Sequence, residues 1–138
     1  MAKFESSVKQ IPYPQQAVYN MLSDLTYIER VKDRVPEDKL KDLSFDKDSI
    51  SISVPPVGAV SMRIIEREEP KTIKFESANP PMPFHFWIQL LPVNETESKM
   101  RLTINADIPF MLKGMVTKPL QEGIEKIAEA LAMIPYGE

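Results

Sequence analysis

Residues 99 to 134 read KMRLTINADIPFMLKGMVTKPLQEGIEKIAEALAMI, and the spacing of their apolar residues changes part-way along. Over residues 99–108 apolar and polar side chains alternate, which is typical of a strand with one buried face. Over residues 110–134 the apolar residues recur every three or four positions, which predicts an amphipathic helix. A strand followed directly by a long C-terminal helix indicates a mixed α+β domain.

The predicted C-terminal helix carries a continuous apolar stripe. Its members are Leu112, Val116, Leu120, Gly123, Ile124, Ile127, Leu131 and Ile134. We expect this stripe to pack on the concave, dry face of a sheet. Pro119 lies inside the pattern, and proline removes a backbone donor, so we expect a kink there or a junction between a short first segment and the main helix.

The chain before residue 99 contains further strands, separated by turn residues. Alternation predicts them over residues 2–10, 41–46, 49–55, 58–68, 72–78 and 84–93. In the first strand Phe4, Ser6 and Val8 share one face. Two short helices are predicted between the first two strands, over residues 14–23 and 26–34. With the strand at 99–108, the result is a seven-stranded antiparallel sheet with one wet and one dry face.

Composition limits the class of protein. A chain of 138 residues, 43% hydrophobic and 27% charged, predicts one globular domain spanning residues 1–138. It contains no cysteine, and its net charge is -3 without a basic stripe, so we expect no disulfide and no nucleic-acid partner. No apolar run has the length of a signal peptide or a membrane span. We therefore expect a cytoplasmic protein without membrane insertion.

Two segments carry a resemblance to a known superfamily. They are FESSVKQIPYPQQAVYNMLSDL at residues 4–25 and KPLQEGIEKIAEAL at residues 118–131. With the order strand, two short helices, meander and long helix, the chain resembles the START-like (SRPBCC) superfamily, which includes birch-pollen-allergen-like and polyketide cyclase/dehydrase-like proteins. The resemblance implies the helix-grip fold, in which a curved seven-stranded antiparallel sheet wraps around the C-terminal helix.

The resemblance also implies a cavity between sheet and helix that takes an apolar or aromatic ligand. We expect no cofactor. The inward-facing residues would then line it: Met62, Ile64, Phe75, Phe86, Ile88, Met100, Leu102, Ile104, Met111, Met115, Val116 and Leu120. The methionines among them serve equally well as adaptable pocket lining or as filler in an irregular core.

Candidate catalytic and metal-binding residues are few. Alternation places Glu66 on the same inward face as Met62 and Ile64, and a carboxylate there can act as an acid or base. Exposure at the sheet rim is the commoner outcome, because glutamate is seldom buried unpaired. His85 is the only histidine and has outward parity, so we expect no metal site. Tyr13, Tyr19, Tyr27 and Ser77 supply the other hydroxyls that can reach the interior.

The stretch NPPMPFHFWIQLL at residues 79–91 contains the only tryptophan, Trp87. Its outward parity has three interpretations: a bulge that turns it inward, an exposed patch covered by another subunit, or partial burial under a neighbouring loop. The PPMP segment itself is typical of a stiff connection, with Met82 as an apolar lip.

Because the inward set is almost wholly apolar, the sequence favours a carrier of a small hydrophobic molecule, such as a lipid or aromatic metabolite, over an enzyme. The enzyme alternative is a polyketide cyclase or dehydratase that uses Glu66 or a tyrosine. The third alternative is a co-chaperone-like interaction module that uses the outer sheet around Trp87. A homodimer is left open.

Overall fold

The computed structural model describes residues 2–24, 26, 43–45, 47–54, 58–77, 84–108, 110–134 and 136. Its elements are β1 (Ala2–Glu5), β2 (Lys9–Ile11), α1 (Gln15–Leu22), β3 (Leu43–Phe45), β4 (Ser49–Val54), β5 (Gly58–Glu68), β6 (Thr72–Ser77), β7 (Phe84–Pro92), β8 (Ser98–Ala106), a 3-10 helix (Phe110–Leu112) and α2 (Lys113–Ala132).

The strands form one antiparallel sheet in the order β1-β8-β7-β6-β5-β4-β3, and β2 also pairs with β8. Because β1 and β2 share one neighbour, the sheet has seven strand positions. The predicted sheet and long C-terminal helix are confirmed. α1 lies within the first predicted short helix, whereas most of the second, over residues 26–34, falls outside the described residues.

The first strand is interrupted, and Val8 does not face the core as alternation predicted. Glu5 pairs with Thr103 and Lys9 with Met100, so three residues of the first strand stand opposite two residues of β8. The extra residue turns the side chains that follow it to the opposite face of the sheet. Val8 is consequently 57% exposed, whereas Ile11 is buried.

A second irregularity lies in β5. Ile64 pairs with Phe75, but Glu66 pairs with Lys74, so Ile65 is an extra residue between them. The shift moves Glu66 off the inward parity and onto the wet face, where it is exposed. Glu66 therefore does not face inward with Met62 and Ile64 as alternation indicated, and the exposure that was the commoner expectation for it is confirmed.

α2 packs mainly against β8, β1 and β2 at one side of the sheet and against β4 at the other. Its stripe is buried from Val116 to Ile134 except for the half-buried Gly123, while Leu112 lies at the exposed start. The short first segment joins α2 at Leu112, not at the predicted Pro119, which lies inside the helix. The carbonyl that loses its donor to Pro119 belongs to Met115, an exposed residue, so water can replace that donor.

Candidate functional site

Most predicted lining residues lie on the inner face of the sheet or on the buried side of α2. The buried members are Met62, Ile64, Phe75, Phe86, Ile88, Met100, Leu102, Ile104, Val116 and Leu120. Phe75 and Phe86 pack edge to face with ring centroids 5.4 Å apart. Both rings have 0% exposure, so no water-sized space adjoins them. In this conformation these side chains form a packed core.

Met111 and Met115 do not join that core. Met111 is 89% exposed and Met115 is 57% exposed. Each precedes a stripe position, Leu112 or Val116, by one residue, and one residue turns a side chain about 100° around a helix. The placement of these two methionines among the inward residues is therefore wrong.

An open cleft of about 630 Å³ lies beside α1, the end of β5 and the chain beyond α2. The residues that line it are Ala17, Tyr19, Asn20, Met21, Ser23, Asp24, Arg67, Glu69 and Tyr136.

The floor of the cleft is the edge of the hydrophobic core. Tyr19, Met21 and Tyr136 are all buried members of the core cluster. The Tyr136 hydroxyl donates a 2.6 Å hydrogen bond to the Leu131 carbonyl, and its ring meets that of Tyr13 edge to face at 6.2 Å. Burial raises the pKa of Tyr136 far above its ordinary value, so this residue is an uncharged wall.

Charged groups at the rim hold one another in place. The Arg67 Nε donates to the Ser23 carbonyl at the end of α1 (2.9 Å), and its terminal nitrogen contacts Asp48 (2.7 Å). The Glu69 carboxylate accepts a 3.0 Å hydrogen bond from Gln16 of α1. These bonds tie α1 to the end of β5 and fix the width of the cleft.

Asp24 and Tyr19 titrate differently within this rim. Hydrogen bonds from the Thr26 hydroxyl (2.6 Å) and amide (3.2 Å) lower the pKa of Asp24, so it carries its charge. Desolvation, assisted by the negative charge of Glu69, raises the pKa of Tyr19. Its hydroxyl is therefore neutral at physiological pH and can donate a hydrogen bond. Within the described ranges, no other group bonds to that hydroxyl.

The outer face of the sheet holds the remaining candidates. Trp87 lies half-buried on that face, with the Lys74 ammonium 5.6 Å from its ring centroid and the His85 ring at 6.0 Å. The bulge that would turn Trp87 inward is absent from its pairing with Lys74 and Thr103. Among the described residues, no group of three His, Asp or Glu side chains is placed to hold a metal.

No family model matches the chain. A search of curated proteins likewise finds no match. Solved structures do match over almost the whole chain. Norcoclaurine synthase from Thalictrum flavum aligns with a TM-score of 0.69 and 10% identity, covering 95% of this chain and 91% of that chain. A START superfamily protein from Mycobacterium smegmatis aligns with a TM-score of 0.65 and 9% identity, covering 94% of each.

The chain has the START-like helix-grip fold. A protein from Thermus thermophilus aligns with it at a TM-score of 0.64 and 18% identity, covering 95% of this chain and 94% of that one. At these identities the likeness extends to the fold alone.

Sequence reasoning missed most of the cleft. Tyr19 stood among the hydroxyls considered, but Arg67, Glu69 and Tyr136 come from distant segments that only the fold brings together. Tyr27 lies outside the described residues, and the Ser77 hydroxyl accepts a hydrogen bond from the Phe84 amide (3.3 Å). The one available signal was Tyr136, a large aromatic residue two positions beyond the helical stripe.

Proposed function

We propose that this START-like domain binds a small molecule with an apolar or aromatic body, and that the cleft beside α1 receives it. The observation that carries the proposal is a cleft of about 630 Å³ whose floor is formed by buried residues at the edge of the hydrophobic core. Small-molecule sites usually measure about 300 to 1,000 Å³ and combine an apolar lining with a few polar groups. The cleft has a volume in this range, and its lining combines Ala17, Tyr19, Met21 and Tyr136 with five polar or charged residues.

The floor suits the body of such a ligand. Tyr19, Met21 and Tyr136 offer two aromatic rings and a thioether as contacts for that body. They are only 5%, 6% and 4% exposed, so the apolar surface that binding removes from water belongs mainly to the ligand. The Tyr136 ring is held by its hydrogen bond to Leu131, so it meets the ligand in a fixed position. Preorganised walls of this kind reduce the entropy that binding costs.

The rim selects the polar end of the ligand. Asp24 and Glu69 contribute two carboxylates, whereas the one guanidinium, Arg67, already contacts Asp48 and Ser23. An anionic group would meet net repulsion there. The cleft therefore favours a neutral or cationic end that accepts from the Tyr19 hydroxyl or donates to a carboxylate.

A ligand longer than the cleft would extend between the sheet and α2, where the buried predicted lining lies. Entry there requires packed side chains such as Phe75 and Phe86 to move, because no space adjoins them now. We propose this interior as the deeper part of the same site.

The enzyme alternative rests on Tyr19 instead of Glu66. The neutral Tyr19 phenol can donate a hydrogen bond to a substrate oxygen on which negative charge develops, a contribution that a cyclase or dehydratase of polyketide-like substrates can use. Tyr19→Phe separates the alternatives, since it would abolish turnover in an enzyme but leave the binding of an apolar body largely intact.

The binding proposal is tested with two fluorescent dyes of the same body and different charge. N-phenyl-1-naphthylamine is neutral, and 8-anilinonaphthalene-1-sulfonate carries a sulfonate. We expect the neutral dye to bind more tightly. Asn20→Trp, which places an indole in the cleft from the exposed side of α1, should weaken its binding about tenfold, or roughly 1.4 kcal/mol.

Val8→Trp is the matched control, because Val8 is also exposed but does not line the cleft. It should bind the dye as the unaltered protein does. Equal dye affinity in Asn20→Trp would remove the cleft as the site, and no binding of either dye by the unaltered protein would contradict the proposed function.

A further inference from the structure

An apolar tip protrudes from the end of the domain opposite the cleft. It consists of Phe110, Met111, Leu112 and Met115, in the 3-10 helix and the first turn of α2. Phe110 is 88% exposed and Met111 is 89% exposed, so both side chains have almost no contact with their own chain. Their exposure is a cost in water, and clusters of this kind usually mark a contact surface.

The strand register places the tip and the cleft at opposite ends of the sheet. The tip follows Ala106, the residue of β8 that pairs with Phe84 at the start of β7. The cleft residues Arg67 and Glu69 lie near the pairing of Glu68 with Thr72, at the end where β7 finishes and β8 begins. A contact at the tip therefore leaves the mouth of the cleft free.

One exposed acid, Asp107, precedes the tip, and the charged residues that follow it up to residue 121 are basic. Between Asp107 and Glu122 the sequence contains no acidic residue, and its charged residues are Lys113 and Lys118. Both lysines are exposed. Among the described residues, the Lys118 side chain, 85% exposed, makes only a 3.9 Å contact to Glu122. At the cleft end, by contrast, charges of both signs are mixed: Glu68, Glu69, Glu95 and Glu97 lie among Arg67, Lys71, Lys99 and Arg101.

The first turn of α2 carries a positive charge, which is unfavourable at the N-terminus of a helix. Leu112 provides no side-chain cap, and the first turn contains no acidic residue. Lys113 occupies that turn, although the positive end of the helix dipole favours an anion. An external anionic group at this position would improve the electrostatics of the helix and of the lysine together.

The shape of the tip decides between partners. Side chains that protrude this far need a deep complementary pocket in a protein partner, whereas a lipid headgroup layer accommodates them without one. Space also lies open beside Gly114, where an added Cβ would meet nothing within 4 Å. Aromatic and aliphatic side chains next to lysines are the usual composition of segments that lie at a membrane interface.

We propose that the apolar tip docks on the surface of a phospholipid membrane that contains anionic headgroups. Phe110 and Met111 enter the interface, and Lys113 and Lys118 contact phosphate groups. This is a surface contact: among the described helices, none is both long and apolar enough to cross a membrane. The proposal does not depend on the cleft binding a ligand.

The test is co-sedimentation of the full chain with vesicles of phosphatidylcholine alone and of phosphatidylcholine with phosphatidylglycerol. We expect binding to the anionic vesicles that weakens as salt increases, because screening reduces the contribution of the lysines. The double variant Phe110→Ser/Met111→Ser should lower vesicle affinity about tenfold or more. Lys113→Gln/Lys118→Gln should lower it on anionic vesicles only.

Leu91→Ser/Val93→Ser is the matched control, since these apolar residues are also exposed but lie at the cleft end. It should bind vesicles as the unaltered chain does, and all variants should show unchanged thermal unfolding. Equal vesicle binding by the tip variant, or no binding by the unaltered chain, would overturn the proposal. Sedimentation velocity without vesicles tests whether the tip instead binds a second copy of the chain. If the unaltered chain dimerises, the tip variant does not, and neither binds vesicles, the tip is a dimer contact.

Discussion

The two ends of the domain differ in how their exposed side chains are arranged. At the cleft end, the charged rim is engaged in hydrogen bonds: Arg67 with Ser23 and Asp48, and Glu69 with Gln16. At the tip end, Phe110 and Met111 stand in solvent. The first arrangement fixes a concave surface, and the second leaves a convex apolar one.

This difference indicates two separate tasks. A cleft gains selectivity when its rim is rigid before the ligand arrives. A tip that enters a lipid layer needs no rigid geometry, only apolar side chains and suitable charge. α2 spans the distance between them, with its start at the tip and Tyr136 beyond its far end.

The largest expected effect contrasts the aromatic residues that flank α2. Tyr136→Ala removes a buried ring and a buried hydrogen bond, so it should lower the free energy of unfolding by about 3 to 5 kcal/mol. Phe110→Ala should change it by less than about 0.5 kcal/mol, because the ring is exposed. Urea unfolding of both variants checks this. Similar decreases in the free energy of unfolding of the two variants would contradict this difference between the ends.

A smaller effect is expected at the middle of α2. Glu125 accepts hydrogen bonds from the Ser7 amide (2.8 Å) and hydroxyl (2.7 Å), and its carboxylate lies 2.7 Å from the Lys9 ammonium. The bonds from Lys9 and Ser7 lower the pKa of Glu125 from 4.5 to about 2. This carboxylate therefore stabilises the fold fully above pH 4.5, and that contribution is lost as the pH falls toward 2.

Glu125→Gln should lower the free energy of unfolding by about 1 kcal/mol at pH 7, a modest value because the group is partly exposed. The difference between variant and unaltered protein should shrink below pH 4.5. Glu122→Gln is the control on the same helix, since within the part of the chain that the structure describes Glu122 makes only the 3.9 Å contact to Lys118. A difference that stays constant from about pH 7 to about pH 2.5 would contradict the assignment.

The smallest effect is expected at the tip, and it has the opposite sign. Lys113→Glu places an acid in the first turn of α2, so it should raise the free energy of unfolding by about 0.3 to 1 kcal/mol. The same change should weaken binding to anionic vesicles. Thermal unfolding and co-sedimentation measure both on one preparation, and a variant that is less stable would contradict this account of the helix start.

The sequence predicted the regular parts of the fold because alternation and helical spacing are local signals. Phe86, Leu102 and Ile124 are buried as their patterns indicated. Alternation predicted the wrong face where a strand contains one extra residue, at residues 6–8 and at Ile65. These extra residues place Val8 and Glu66 on solvent-exposed positions. A bulge depends on the pairing of two strands, which alternation within one strand does not show.

The cleft could not be predicted from local sequence patterns for a related reason. Asp24, Glu69 and Tyr136 are far apart in sequence and become neighbours only when α1, β5 and the chain after α2 pack together. Conversely, the tip was visible in the sequence as an apolar run, but helical spacing assigned Met111 and Met115 to the interior. The pattern showed that these residues are apolar and did not show where α2 begins.

The most direct test of the central claim uses the methionines as reporters. Met21 lines the cleft, Met62 and Met100 lie in the packed core, and Met111 lies in the tip. With methyl-13C methionine, NMR spectra are recorded while N-phenyl-1-naphthylamine is added. We predict that the Met21 signal shifts first and that the Met111 signal stays in place. Shifts confined to Met111, or to Met62 and Met100 without Met21, would contradict the assignment of the cleft as the binding site.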